Sequence, residues 1–184
     1  MKAIRGMTLI ELMVVVSIIA ILASVGVPNL RDFIVKTRVD NEVSHLHRLL
    51  LTARNAAISA NQNVVICPLT GSGVCSGNWA GEITVFTDND GTQTYSPEYD
   101  DIISIKNPID SKDTLAFSAD SILFASNGSR IDNQSRVFAY CPSDGSKYNR
   151  GVVTSFSGSV YQTTDIDGDG IDEDRNGNEV SCGG

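Results

Sequence analysis

Between Met7 and Val27 the chain runs for twenty-one residues with a single charge, Glu11. No other segment constrains the fold as tightly. At ~1.5 Å per residue such a run makes a helix on the order of 30 Å long, enough to cross a bilayer. Lys2 and Arg5 precede it, which predicts the N-terminus inside and everything beyond the helix outside. An ordinary secretory signal or a simple anchor would share these features, and Ala20 and Ala23 could mimic a small-residue cleavage site. Glu11 fits neither reading. A carboxylate this deep in an apolar run costs roughly 2.5–3.5 kcal/mol on insertion scales, so such residues are kept for a partner.

The string Gly6-Met7-Thr8-Leu9-Ile10-Glu11, followed by Leu12 and a long Val/Ile/Ala run, resembles the type IV prepilin signature. The resemblance implies that a prepilin peptidase removes a basic leader after Gly6, on the cytoplasmic side, and that Met7 becomes a methylated N-terminus. The usual residue there is Phe, and Met is a mild substitute because both are bulky and apolar. Thr8 and Glu11 then become filament-assembly positions, with Glu11 meeting the freed amine of an adjacent subunit. Two buried opposite charges would offset each other's desolvation there.

Pro28 is expected to end or kink the first helical run, since it supplies no N–H to the ladder. Helical periodicity then resumes from about Asn29 to Asn61. Val39, Val43, Leu46, Leu50, Ala53, Ala57 and Ala60 recur at alternating steps of four and three, while Arg31, Lys36, Asp40, Glu42, Arg48 and Arg54 mostly take other faces. The alanines favour a helix packed closely on its own sheet over a coiled coil. His45 and His47, two apart, point to different faces and make a poor metal pair.

Beyond Asn61 the period shortens. Strands are expected at Val64–Cys67, Ile83–Thr87, Ile102–Lys106, Thr114–Phe117, Ile122–Phe124, Val137–Tyr140 and Val152–Phe156, with Asp88-Asn89-Asp90-Gly91 and Asn127-Gly128 as turns. Short sequential strands without helices between them imply antiparallel pairing. The fold class is α+β: a long N-terminal helix, half membrane-spanning and half amphipathic, packed on an antiparallel β-sheet head, as in the type IV pilin fold. The expected segments are a leader at 1–6, a membrane or filament-core helix at 7–28, an amphipathic helix at 29–62, a β-rich head at 63–161 and an acidic tail at 162–184.

Cys67, Cys75, Cys141 and Cys182 form an even set in a chain that crosses a membrane, which points to two disulfides in an oxidising compartment. Zinc is the weaker reading, because the spacing is wide and neither histidine lies near a cysteine in sequence. Four cysteines allow three connectivities. The turn-rich loop between Cys67 and Cys75 favours that pair, which would leave Cys141 with Cys182 to tie the tail back.

The head also resembles the GspH/FimT-type minor pilins and pseudopilins. The residues that carry this are Ala53-Arg54-Asn55-Ala56, Cys67-Pro68, Cys75, Trp79-Ala80-Gly81, Val85-Phe86-Thr87-Asp88 and Leu123-Phe124 with Gly128. The resemblance reaches to about Tyr161 and leaves the tail outside. It implies a structural subunit of a type IV pilus or a type II secretion pseudopilus. The partners would be other pilins, the prepilin peptidase and an inner-membrane assembly platform. Before assembly the chain would be a single-pass inner-membrane protein with a periplasmic head. Some members bind DNA through basic residues after a Gly in the last strand. Here Gly158 is followed by Ser159-Val160-Tyr161 and then by acid, with Lys147 and Arg150 the only nearby cations.

Net charge is −8, and from Asp165 onward seven carboxylates face one Arg, so the rest of the chain is nearly balanced. No broad basic field is present, and nucleic acid is not an expected partner. Asp165, Asp167 and Asp169 alternate, Gly170 permits a tight turn, and the Ile171 carbonyl and Asp174 extend a candidate Ca2+ set. An EF-hand would need Glu at its twelfth position, where this loop has Asn176. The competing reading is a solvated, disordered acidic tail. No other cofactor is expected. No nucleophile–base set or buried carboxylate pair stands out, so an enzyme is not expected; an adhesin or DNA-uptake module is the alternative function.

Overall fold

The computed structural model describes residues 7–132, 134–143 and 146–183. Two compact units divide between Thr37 and Arg38. A single helix, α1 (Leu9–Ala60), runs through the boundary, with Pro28 inside it rather than at its end. Proline removes one N–H from the ladder. The Asn29 side chain returns a donor to the same turn by bonding the Val25 carbonyl at 2.9 Å.

In the first unit the apolar side chains from Met7 to Ile34 all face outward, and Val35 is the first to be buried. The most apolar stretch of eighteen residues has no buried member, and α1 is the one described helix long and apolar enough to cross a membrane. Its few polar groups are turned back on the helix: Ser17 donates to Met13 O (2.8 Å), Ser24 to Ile21 O (2.7 Å) and Thr37 to Phe33 O (2.8 Å). That pattern suits an apolar medium, in which an unbonded hydroxyl is costly.

The second unit is built on the C-terminal part of α1. Val39, Val43, Leu46, Leu50, Ala53 and Ala57 are buried as the periodicity predicts, but Ala60 is exposed. The stripe ends there because the helix does. Asn61 adopts φ 53°, Gln62 N bonds Ala57 O at 3.1 Å, and Asn61 N bonds Ile58 O at 3.3 Å, which is a Schellman cap.

Among the described residues eight strands follow: β1 (Val64–Cys67), β2 (Ile83–Thr87), β3 (Ile102–Lys106), β4 (Thr114–Ala116), β5 (Ile122–Phe124), β6 (Arg136–Cys141), β7 (Arg150–Thr154) and β8 (Val160–Gln162). They form two four-stranded antiparallel sheets, β3-β2-β1-β5 and β4-β6-β7-β8, where a single sheet head was expected. β1 is buried at all four positions, so it reads as a continuous apolar run. Expected bounds hold for β1, β2, β3 and β5. Phe117 leaves β4 and stacks on Phe138, with centroids 3.9 Å apart, and Trp79 meets both rings edge-on. β7 begins two residues early, and Phe156, expected at its end, is exposed in the turn to β8.

Arg130 ties the two sheets. Its backbone bridges Phe124, while its guanidinium donates to Thr154 O and Thr154 Oγ1 and pairs with Asp132. Both disulfides have the favoured connectivity, Cys67–Cys75 and Cys141–Cys182. The tail is folded, not loose. Thr164 bridges Glu173, Glu173 bridges Glu179, and Asp172, Glu173 and Val180 are buried.

Candidate functional site

The first site lies at the start of α1. Thr8 precedes the first helical residue and Glu11 sits three positions on. Glu11 Oε2 accepts from Thr8 N (3.0 Å) and Thr8 Oγ1 (3.2 Å), and Glu11 N donates to Thr8 Oγ1 (3.3 Å). This reciprocal arrangement is a capping box, and the Thr-x-x-Glu spacing announces it in the sequence. It gives Glu11 a local role that reasoning from the insertion cost overlooks. The carboxylate is held over the first turn, beside the N–H next to Met7, and Met7 is exposed. Gly6, the expected cleavage position, lies outside the described residues, as do Lys2 and Arg5.

The second site is the tail loop. Carboxylate oxygens of Asp165, Asp167, Asp169 and Glu173 lie within 4.8 Å of one another. Asp165 is gripped by Gly168 N (2.7 Å) and Gly170 N (3.0 Å), Asp167 by Asp169 N (3.1 Å) and Asp169 by Ile171 N (2.7 Å). Glu173 Oε2 accepts from Ile166 N at 2.7 Å. The fourth carboxylate is therefore Glu173 and not the expected Asp174. Asp174 turns the other way and caps its own turn, accepting from Asn176 N (2.7 Å) and Asn178 N (3.0 Å). Burial pushes the Asp174 carboxyl up, but the bonds from Asn178 and Asn176 together outweigh it and hold it below the usual range. Four clustered carboxylate oxygens, with the Ile171 carbonyl nearby in sequence, are the hard donors that Ca2+ takes.

The loop is anchored through β7. Arg150 Nη1 reaches Gly170 O at 2.9 Å and Asp172 Oδ1 at 2.5 Å, and Thr163 Oγ1 donates to Asp172 Oδ2 at 2.8 Å. Burial raises the Asp172 carboxyl, while the Thr163 hydroxyl and the Arg150 charge pull it back. Of the two cations near the last strand, Arg150 is thus engaged with carboxylates, Asp40 included.

A further acidic group lies where the sequence shows a plain turn. Asp88 and Asp100 are buried, and their carboxylates cluster with that of Asp90. This is the buried carboxylate pair the sequence did not disclose, because its members are twelve residues apart in a loop. Backbone donors account for it: Gln93 N to Asp88 (3.0 Å), and Asn89 N (3.0 Å) and Ser96 N (2.9 Å) to Asp100. The pair folds the β2–β3 loop. His45 is exposed and His47 half-buried, with no role in either site.

The profile of the family described as type II transport protein GspH matches residues 42–158, and that of the prokaryotic N-terminal methylation motif matches residues 1–27. Two proteins of Pseudomonas aeruginosa named fimbrial protein are each 35% identical over 101 residues. That aligned stretch covers 50% of this chain and 66% of each relative, just under two thirds of their length. Two crystal structures of the type IV minor pilin FimU of P. aeruginosa share the fold, with TM-scores of 0.55 and 0.53 at 16% identity. They cover 68% and 67% of this chain and 87% and 90% of their own. β8 and the acidic tail lie beyond the family match, whereas the stem carries the methylation motif and the head carries the rest. The chain belongs to the GspH family of pilin-like proteins.

Proposed function

We infer that the chain is a minor pilin or pseudopilin, a structural subunit that joins a type IV pilus or a type II secretion pseudopilus. The observation that carries this is the exposed apolar surface of the first unit, headed by the Thr8–Glu11 box. A helical stretch with no buried residue over its most apolar eighteen positions is completed by lipid before assembly and by neighbouring helices afterwards. The methylation-motif match over residues 1–27 supports cleavage after Gly6 by the prepilin peptidase, methylation of Met7 and uptake by an inner-membrane platform. The chain waits as a single-pass inner-membrane protein with its head in the periplasm.

Mass spectrometry of the mature chain tests the processing: an N-methylated Met7 is expected, whereas cleavage after Ala20 or Ala23 would make the segment an ordinary signal. Deleting the gene and scoring surface pili, twitching and secreted enzymes together separates the two filaments. Lost pili with intact secretion assigns the subunit to the pilus; the reverse assigns it to secretion.

The tail loop is suited to an inorganic ligand, on the observation that Asp165, Asp167, Asp169 and Glu173 converge. Bound Ca2+ would relieve their mutual repulsion. Adding about 1 mM Ca2+ is expected to raise the melting temperature, and Asp167→Asn to abolish the rise. An unchanged melting curve would leave the loop as a self-capped turn.

A further inference from the structure

The tail does not cover the outer face of the second sheet completely. Ala116 on β4 pairs with Ala139 on β6, and Val137, two residues before Ala139, points the same way. Together with Val180 from the tail they line an open cleft of about 390 Å3. Asp174 and Glu179 complete its wall, and no Lys or Arg lines it. Arg136, which donates to Ser118 at the edge of the cleft, is neutralised by Asp132 at 3.1 Å.

Three features restrict what can sit there. The volume accommodates a few side chains. Asp174 and the exposed Glu179 put two carboxylates on the wall, so it attracts cations. β4 is an edge strand that pairs only with β6 among the described strands, so its outer side is where a further strand would add.

We propose that this cleft docks an extended, lysine-bearing segment of a partner polypeptide, which pairs with the free edge of β4. Alternate side chains of the segment would fill the apolar part of the cleft, and its lysines would meet Glu179 and Asp174. Backbone pairing supplies affinity, and the acidic wall selects the partner's charge. The proposal is independent of the filament reading, because it needs neither cleavage at Gly6 nor methylation of Met7.

The test uses the full chain in detergent micelles and two fluorescein-labelled hexapeptides, Lys-Val-Lys-Val-Lys-Val and Glu-Val-Glu-Val-Glu-Val, read by anisotropy. The lysine peptide should bind and the glutamate peptide should not. Binding should weaken as salt rises from about 50 to about 500 mM. Glu179→Gln should weaken it about threefold, the scale of one rim charge. Ala116→Trp, which fills the cleft, should abolish it, with circular dichroism checking the fold. Glu98→Gln, an exposed carboxylate outside the cleft, should leave it unchanged. Absent binding overturns the proposal. So does a Glu98→Gln effect equal to that of Glu179→Gln, which would mean diffuse attraction to an acidic protein.

Discussion

Tyr140 shows how one buried hydroxyl fixes a charge network. Its OH donates to Asp113 at 2.5 Å, and Asp113, with no exposed side-chain surface, also receives Arg38 and Ser143 N. Burial raises the Tyr140 pKa well above its ordinary 10, and the bond to Asp113 and the charges of Asp113 and Glu42 add to the rise. The folded state therefore keeps a proton that the unfolded chain loses above about pH 10, so stability falls as pH rises beyond that point. In Tyr140→Phe this alkaline slope should flatten in urea titrations at pH 9 to 11 (about), while stability at neutral pH drops by about 1–2 kcal/mol for the lost bond. An unaltered slope would refute the assignment. Gly158 is the other sensitive residue. Its φ is +79°, and a Cβ there would lie 1.7 Å from Gly128 O and 3.0 Å from Arg54 Nε. Gly158→Ala should cost about 3 kcal/mol or more, lowering the melting temperature by about 6–12 °C. A variant that melts within a degree or so of the parent would contradict this close approach.

At the scale of elements, the tail depends on what it is fastened to. The Cys141–Cys182 bridge closes a loop with a sequence separation of 41, worth about 3–4 kcal/mol by chain entropy. Replacing both cysteines by serine should lower the melting temperature and make the chain beyond Tyr161 the first site of limited proteolysis. Unchanged cleavage would show that Asp172–Arg150 and Val180 hold the tail unaided. This is also where the sequence is hardest to read. The helix stripe, the central strands and the disulfide pairing follow from periodicity and turn chemistry, which are local. The burial of Asp172 depends on Arg150 twenty-two residues away, and the tie between the two sheets depends on Arg130 reaching Thr154. No local pattern encodes either contact. β8 has only Val160, Tyr161 and Gln162, too short to show alternation, and its Tyr161 is covered by Arg175 stacked at 3.9 Å. The Glu173-for-Asp174 exchange has the same origin, since only the folded turn at Asn176–Asn178 decides which carboxylate faces the loop.

For the whole molecule, the question is whether Glu11 serves its own helix or the assembly. A capping box alone is worth about 1 kcal/mol, less than the roughly 2.5–3.5 kcal/mol that a carboxylate costs in the apolar run. Capping alone does not offset that cost, and in the proposed filament a cation of a neighbouring subunit would supply the balance. In the proposed filament, the amine freed by cleavage before Met7 of a neighbouring subunit would carry that charge. Two variants separate the roles. Thr8→Ala removes the capping partner and keeps the charge, so it should still reach the filament. Glu11→Val removes the charge and eases insertion, so it should accumulate in the inner membrane, be cleaved normally, and fall at least tenfold in sheared surface filaments, or in the pseudopilus when secretion components are overproduced. Equal assembly defects in the two variants would instead make the capping box the working unit, and normal assembly of Glu11→Val would remove the intersubunit ion pair from the mechanism altogether.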